Sequence, residues 1–165
     1  MPAEPARARY LRALAVLVLC TGLAAFLGAL ASIRAPDIYQ QIAKPAWAPP
    51  AGVFGPVWSI LYATMAIAAW LVVGALGWPR ARGPMMLYGL QLALNAVWSW
   101  LFFRWRLGGA AFIDVLALLA VLLFTVRAFW RARPLAGALM LPYLAWVAFA
   151  ATLTYAVWQR NPNVL

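Results

Sequence analysis

Five long apolar stretches dominate this chain, and four of them contain no charged residue. They are Ala13–Ile33, Pro45–Pro79, Gly83–Phe103, Leu107–Val126 (interrupted only by Asp114) and Pro134–Gln159. Each can supply the roughly 20 residues with which an α-helix crosses the hydrocarbon core of a bilayer. The chain is 67% hydrophobic and only 10% charged, unlike a typical soluble domain. It is therefore predicted to be an all-α membrane protein, a five transmembrane helix bundle.

A chain of 165 residues is expected to form one domain, here a single membrane domain over 1–165. The helices are predicted at approximately 11–33, 54–78, 84–105, 108–130 and 134–158. Their connections are short except for the loop Arg34–Gly52, so consecutive helices are expected to be antiparallel neighbours.

The first stretch also admits an interpretation as a signal peptide. Arg7, Arg9 and Arg12 precede it, and a small-residue motif at 29–31 resembles a cleavage site. The stretch is longer than the roughly 7–15 residues of a typical signal peptide core. Its small residues recur every four positions, as on a helix-packing face, at Ala24, Gly28 and Ser32. A transmembrane helix is the favoured interpretation.

The distribution of basic residues predicts the orientation. Eight arginines lie on the N-terminal side of the predicted bundle, against five basic residues on the opposite side. This bias predicts a cytoplasmic N-terminus, with the long loop and the C-terminus on the far side. Twelve arginines against one lysine, with abundant alanine, indicate a GC-rich bacterial genome, so we expect the bacterial cell membrane, with the outer membrane as the alternative. The net charge of +10 comes from clusters beside apolar stretches, which favours lipid head groups as partners and no nucleic acid.

The inventory of reactive side chains excludes several kinds of chemistry. The chain has no histidine, one cysteine and three acidic residues. Such a set predicts no metal site and no histidine-dependent catalytic triad. Cys20 lies in an apolar helix, where a buried inert thiol is expected. We therefore predict no catalytic residue and no required cofactor, and favour a binding protein over an enzyme.

Two sequence features predict where a ligand would bind. The segment between Lys44 and the second helix contains four prolines between Pro45 and Pro56, so it cannot be helical throughout and is interpreted as a stiff lid. Aromatic and polar residues also recur at helical spacing on the predicted second, third and fifth helices. These stripes are Trp58, Leu61, Tyr62 and Met65; Gln91, Asn95, Trp98 and Phe102; and Tyr143, Trp146, Phe149, Ala150 and Leu153. They would either enclose an aromatic cavity or form ordinary interhelical packing.

The other tryptophans and the polar residues of the spans have simpler interpretations. Trp78, Trp105, Trp130 and Trp158 lie near span ends, as in an interfacial aromatic belt. Asn95 must face the bundle interior or a ligand, because an unbonded amide is costly in hydrocarbon. Asp114 is interpreted mainly as an ion-pair partner of Arg104 and Arg106, with a proton or substrate contact as the alternative.

Ordered motifs along the chain resemble the TspO/MBR family of tryptophan-rich sensory proteins. They are Tyr39 with Lys44-Pro-x-Trp47-x-Pro-Pro; Gly55-Pro-Val-Trp58 with Leu61-Tyr62; Gln91-Leu-Ala-Leu-Asn95 with Trp98; Asp114; and Pro142-Tyr-Leu-Ala-Trp146 through Leu153 to Tyr155 and Trp158. The resemblance implies a five-helix bundle, usually a homodimer, that binds porphyrins such as protoporphyrin IX, sterols or other hydrophobic ring ligands. It implies ligand contacts at Tyr39, Trp47, Trp58, Asn95, Trp98, Trp146, Ala150 and Leu153.

The chain departs from the family pattern at Thr154, where asparagine is usual, and at Gln159, where a basic residue is usual. The proposed sterol signature still matches as Leu153-x-Tyr155-x4-Arg160, but such patterns are weak, so porphyrin is the favoured ligand. Three functions remain open: a porphyrin-binding receptor or regulator, a tetrapyrrole transporter, and a light-dependent porphyrin-degrading enzyme. The last follows from the resemblance, which implicates Trp58 and Trp146.

Overall fold

The computed structural model describes residues 6–165, without the side chains of residues 6, 7 and 9. The side chains of Arg7 and Arg9, part of the predicted basic N-terminal segment, therefore lie outside the described part, as do residues 1–5 of the predicted domain. The helices are α1 Ala6–Ala31, α2 Ala35–Gln41, α3 Phe54–Ser99, α4 Gly108–Ala132 and α5 Pro134–Arg160. A 3₁₀ turn, Ala51–Val53, precedes α3, and a π-helical turn, Trp100–Arg104, follows it.

Helix α3 crosses the membrane twice, because it folds back on itself at Gly77. The hydroxyl of Tyr62 donates a 2.6 Å hydrogen bond to Oδ1 of Asn95. Along a straight helix those residues would be separated by about 50 Å. Gly77 has φ 72° and ψ 156°, a conformation that glycine adopts without steric cost. Helix α3 thus has a first arm, residues 54–76, and a second arm, residues 78–99.

Five membrane spans result, which confirms the predicted fold class. Four helical segments are long and apolar enough to cross a membrane: Tyr10–Ala31, Ala51–Arg104, Gly108–Ala132 and Pro134–Arg160. The second contributes both arms of α3. The predicted connection at residues 79–83 is instead helical, and the reversal occurs at Gly77 alone. Pro79 permits this because it lies in the first turn of the second arm, where its missing N–H needs no partner.

The spans pack around α3 and α4. Helix α1 packs on α3, and α4 packs on both α3 and α5. The small residues of α1 form a packing face, as predicted. A Cβ added to Gly28 would lie 3.4 Å from the Ser99 hydroxyl oxygen and 3.8 Å from that of Tyr62. Those residues belong to different arms of α3, so the glycine lets α1 approach the hairpin closely.

The long loop is more ordered than its sequence indicated. It contains α2, a seven-residue helix that was not predicted. Pro36 lies in the first turn of α2, where proline is well tolerated, and Ile38 and the following Ile42 are buried against the bundle. The proline-rich residues 45–50 are non-helical, as predicted.

Three of the four tryptophans assigned to the interfacial belt are exposed near helix ends. Trp78, Trp105 and Trp130 expose 42%, 55% and 47% of their surface, consistent with the predicted positions. Trp158 differs, since its ring packs on α4: a Cβ added to Gly108 would lie 2.6 Å from it. The two glycines that begin α4 leave room for this indole, so Trp158 joins α5 to α4.

Candidate ligand-binding site

The lid, residues 44–50, connects α2 to the turn before α3. The hydroxyl of Tyr39 donates a 2.7 Å hydrogen bond to the carbonyl oxygen of Pro49. Partial burial raises the pKa of Tyr39, which keeps this hydroxyl protonated as a donor. The Nζ of Lys44 donates to the carbonyl oxygens of Tyr39 and Ile42. These bonds attach both ends of the lid to α2 and the residues just after it.

A chain of aromatic rings, called here the outer layer, runs from the lid to α2. Trp47 of the lid contacts Phe149 of α5 at 5.8 Å between ring centroids, and Phe149 contacts Trp146 at 5.5 Å. Trp146 meets Phe54 at 5.9 Å, and Phe54 meets Tyr39 at 5.5 Å. Three of these four contacts are edge-to-face, a favoured geometry for aromatic pairs. The outer layer therefore joins the lid, α2, α3 and α5.

A second group, called here the inner layer, lies deeper in the bundle. Trp58 contacts Tyr62 at 5.4 Å and Tyr143 at 6.1 Å. Tyr62 in turn donates its hydrogen bond to Asn95, whose side chain is 2% exposed. The inner layer thus joins both arms of α3 to α5. Asn95 faces the bundle interior, as the cost of an exposed amide in hydrocarbon requires.

The remaining predicted residues flank these layers. Trp98 stacks on Phe102 at 5.2 Å and packs with both apolar clusters of the bundle. Leu153 is buried in the cluster that also contains Tyr39 and Phe102. Ala150 is half-buried on α5 and is placed near the site only by its helical position between Trp146 and Leu153. Seven of the eight predicted residues are therefore linked by contacts or shared clusters.

The layers pack ring against ring, and open space at this site takes the form of a lateral groove. The groove has a volume of about 400 Å³, lies between the first arm of α3 and α5, and is lined by Val57, Ile60, Leu61, Pro142, Ala145, Trp146 and Phe149. Ile60, Pro142 and Ala145 are exposed, so the groove opens on the outer surface of the bundle. The volume lies within the range of small-molecule sites. Trp146 lines the groove and also belongs to the outer layer.

Several buried polar atoms on the same helical faces have no hydrogen-bond partner in the part of the chain that the structure describes. They are both side-chain polar atoms of Gln91, Nε1 of Trp98 and the hydroxyl of Tyr143. Gln91 and Tyr143 are completely buried. An unpaired buried polar group costs about 1–3 kcal/mol, so these atoms suit a ligand that carries both donors and acceptors. Sequence reasoning placed Gln91 and Tyr143 on the stripes but not among the site residues, although polar groups within apolar spans were the available signal.

Replacing Gln91 with leucine should stabilise the protein. Removal of an unpaired buried amide should raise the free energy of unfolding by about 1 kcal/mol. Thermal unfolding in one detergent, followed by circular dichroism, would show a higher midpoint for Gln91→Leu than for the parent. The exposed Gln159→Leu is the control and should leave the midpoint nearly unchanged. A lower midpoint for Gln91→Leu would mean that the Gln91 amide is satisfied.

The predicted ion pair of Asp114 is wrong. Asp114 is 9% exposed on the buried face of α4, with Ala111 and Val115, and its Oδ2 has no hydrogen-bond partner among the described residues. Arg104 and Arg106 are exposed at the end of the preceding segment. The helical register of α4 turns the carboxyl group inward, away from the side on which the arginines meet solvent or lipid head groups.

Five apolar spans define this protein as a multi-pass integral membrane protein, and its two aromatic layers and lateral groove form a candidate site for a hydrophobic ligand. The model of the TspO/MBR family matches residues 15–159. The chain belongs to the TspO/MBR family.

Relatives of the chain come from animals and bacteria. The translocator protein of Homo sapiens is 43% identical over 125 residues, which is 74% of each chain. The tryptophan-rich protein TspO of Chlorobaculum tepidum is 36% identical over 152 residues, which is 88% of this chain and 96% of its own. Protein CrtK of Rhodobacter capsulatus is 36% identical over 139 residues, or 82% and 86% of the two chains.

Proposed function

We propose that this protein is a membrane receptor or regulator that binds porphyrin-like tetrapyrroles, or other hydrophobic ring ligands, at the aromatic layers beneath the lid. The observation that carries the proposal is a continuous layer of contacting rings from the lid, α2, the first arm of α3 and α5, two of which, Trp146 and Phe149, line an apolar groove. Trp146 connects the groove with the outer layer, because it lines the groove and contacts Phe54. No cofactor is required for this function.

The chemistry of the site favours a flat and largely apolar ligand. Indole and phenol rings offer faces and edges that pair well with another aromatic system. The unpartnered groups of Gln91, Trp98 and Tyr143 would bond polar atoms of such a ligand. A tetrapyrrole combines these properties, since ring nitrogens and carboxylates are attached to a planar hydrophobic body. Family membership supports the proposal, because the resemblance of the motifs implies porphyrin binding.

A saturable tryptophan-fluorescence titration with protoporphyrin IX tests the proposal. The purified protein in detergent would be titrated in the dark, with N-acetyltryptophanamide in the same micelles as the control for light absorption by the porphyrin. Quenching that saturates near one porphyrin per chain is expected. Quenching that stays linear and equals the control would refute binding.

Light-dependent porphyrin degradation is the second candidate function. Trp58 favours it, because this oxidisable indole contacts two phenol rings, those of Tyr62 and Tyr143. Absorbance scans of the same titration in light and oxygen distinguish the two functions. New absorbing products that require the protein would support an enzyme, whereas unchanged spectra would support a receptor.

We predict that ferric haem and free-base porphyrin bind with similar affinity. The chain has no histidine, so no imidazole can ligate the iron, and we expect ring contacts to supply most of the affinity for both ligands. Parallel titrations would measure the two dissociation constants, and the absorbance spectrum of bound ferric haem should lack a bis-nitrogen low-spin form. A strong low-spin spectrum or a large preference for haem would contradict this prediction.

We further propose that the protein lies in a bacterial cell membrane with its N-terminus on the cytoplasmic side. The basic residues favour this orientation, and five spans would then place the C-terminus on the far side. Fusion of alkaline phosphatase to the C-terminus should give an active enzyme, and fusion of green fluorescent protein should give a dark product. Bright fluorescence would reverse the orientation.

A homodimer is proposed from the resemblance of the chain to its family. Light scattering coupled to size-exclusion chromatography in detergent would measure the mass of the protein component. Twice the mass of the chain is expected, and a single-chain mass would oppose a dimer.

A further inference from the structure

The side chain of Asn161 holds the base of the lid against the end of α5. Its Oδ1 accepts a 2.8 Å hydrogen bond from the backbone N–H of Ala43. Its Nδ2 donates to the carbonyl oxygen of Ala43 at 2.9 Å and to that of Val157 at 2.7 Å. These three hydrogen bonds of the Asn161 side chain are called here the clamp. Asn161 is 8% exposed, so the clamp is shielded from water. One side chain thus satisfies both backbone groups of a residue 118 positions earlier.

The clamp fixes the backbone position of the residue just before the lid. Ala43 directly precedes Lys44, where the lid begins. Prolines at three lid positions lack an N–H, so this stretch has few backbone donors with which to attach itself. At its other end the lid is attached through the bond from Tyr39 to Pro49. At the end that leads to Trp47, the lid is held by the Lys44 amine and by Asn161, so loss of the Asn161 bonds would leave that end attached through Lys44 alone and loosen it.

Helix α5 carries the clamp and part of the candidate site together. Trp146 and Leu153 belong to the site, and Asn161 follows the last residue of the same helix. If a ligand displaced α5 at the site, Asn161 would move with the helix, and its bonds would carry the movement to Ala43, just before the lid.

We propose that Asn161 is a positioning residue that keeps the lid closed over the site and slows ligand release. The effect on release rests on the proposed ligand-binding function, whereas the effect on the lid does not. The rival explanation is a purely local one, in which Asn161 only caps α5 through its bond to Val157. That role would require no change in the lid when Asn161 is replaced.

Lys44 provides a reporter for the lid, because it is the only lysine in the chain and its amine is bonded to two carbonyl oxygens. The rate of Lys44 acetylation by an N-hydroxysuccinimide ester would be followed by mass spectrometry of the corresponding peptide, without ligand. Loss of two hydrogen bonds to Ala43 should raise this rate roughly tenfold in Asn161→Ala. Asn163→Ala, an exposed asparagine two positions away, is the matched control and should behave as the parent.

A second variant breaks one of the same hydrogen bonds by changing Ala43 instead of Asn161. Ala43→Pro removes the N–H that bonds Asn161 and leaves α5 unaltered. The preceding Ile42 already has φ −84° and ψ 145°, which suits a residue before proline. A faster Lys44 reaction in both Asn161→Ala and Ala43→Pro, with unchanged circular dichroism, would establish the clamp. Parental rates in either well-folded variant would overturn it.

Ligand release is measured separately by stopped-flow fluorescence with protoporphyrin IX. Faster dissociation in Asn161→Ala, together with faster Lys44 acetylation, is the expected result. Faster acetylation with an unchanged dissociation rate would overturn the part of the proposal that concerns release. If the parent bound no porphyrin while the Lys44 rates still differed, the proposed function would fail and the clamp on the lid would stand.

Discussion

Replacement of Trp146 by alanine should weaken porphyrin binding by about 1–3 kcal/mol, the scale of a lost aromatic stacking surface, or roughly 5- to 150-fold in the dissociation constant. The ring lines the lateral groove and contacts both Phe54 and Phe149 in the outer layer. A ligand that enters from the groove and one that inserts beneath the lid would both lose this wall. Fluorescence titration of the variant, with circular dichroism to confirm its helix content, measures the effect.

Trp78→Ala is the matched control for this experiment. Trp78 directly follows the reversal at Gly77 and is 42% exposed, so it lies at the opposite end of the first arm from Trp58. Its replacement removes the same number of atoms from the belt and should change the dissociation constant by less than about twofold, as for a surface substitution. Equal losses of affinity for Trp146→Ala and Trp78→Ala would refute the assignment of the site.

Relaxing the lid should accelerate ligand dissociation more than association. Substitution of Pro49 and Pro50 by glycine frees two fixed φ angles but retains the Pro49 carbonyl position that accepts the bond from Tyr39. Each proline is worth up to about 1 kcal/mol of chain entropy, so the double variant should release ligand roughly 5- to 30-fold faster. Stopped-flow quenching measures both rates.

The fold itself should survive this double substitution. The lid contributes little of the bundle's core, which consists of α1, both arms of α3, α4 and α5. Circular dichroism and elution volume should therefore match those of the parent. An unchanged dissociation rate in a well-folded double variant would show that residues 44–50 are a connector, and the term lid would be wrong.

The spans could be predicted from the sequence because lipid requires long uncharged helices whose backbone groups bond internally. The structure of the connections between the spans depends on local backbone conformation and packing. The reversal within α3 depends on the conformation of Gly77, and the short helix α2 depends on the docking of Ile38, neither of which leaves a hydropathy signal. The predicted helix boundaries were accordingly least accurate at residues 79–83 and 34–41.

The site was predictable where its residues share a helical face. Trp58 with Tyr62, and Trp146 with Phe149, follow the period of a helix, so their clustering could be anticipated. Asn161 could not, because its bonds to Ala43 join segments that no periodicity connects. The orientation of Asp114 was also missed, since proximity to arginines in the sequence outweighed its position on the buried face of α4.

Fluorine NMR of protein labelled with 5-fluorotryptophan tests most directly whether a porphyrin binds at the aromatic layers. The ten tryptophans provide ten resonances, assigned by replacing each residue in turn with phenylalanine. The ring current of a bound porphyrin shifts nearby nuclei strongly. We expect large shifts for Trp47, Trp58, Trp98 and Trp146 on addition of protoporphyrin IX, and little change for the belt residues Trp78, Trp105 and Trp130. Shifts confined to those three belt tryptophans, or equal shifts at all ten, would contradict binding at the aromatic layers.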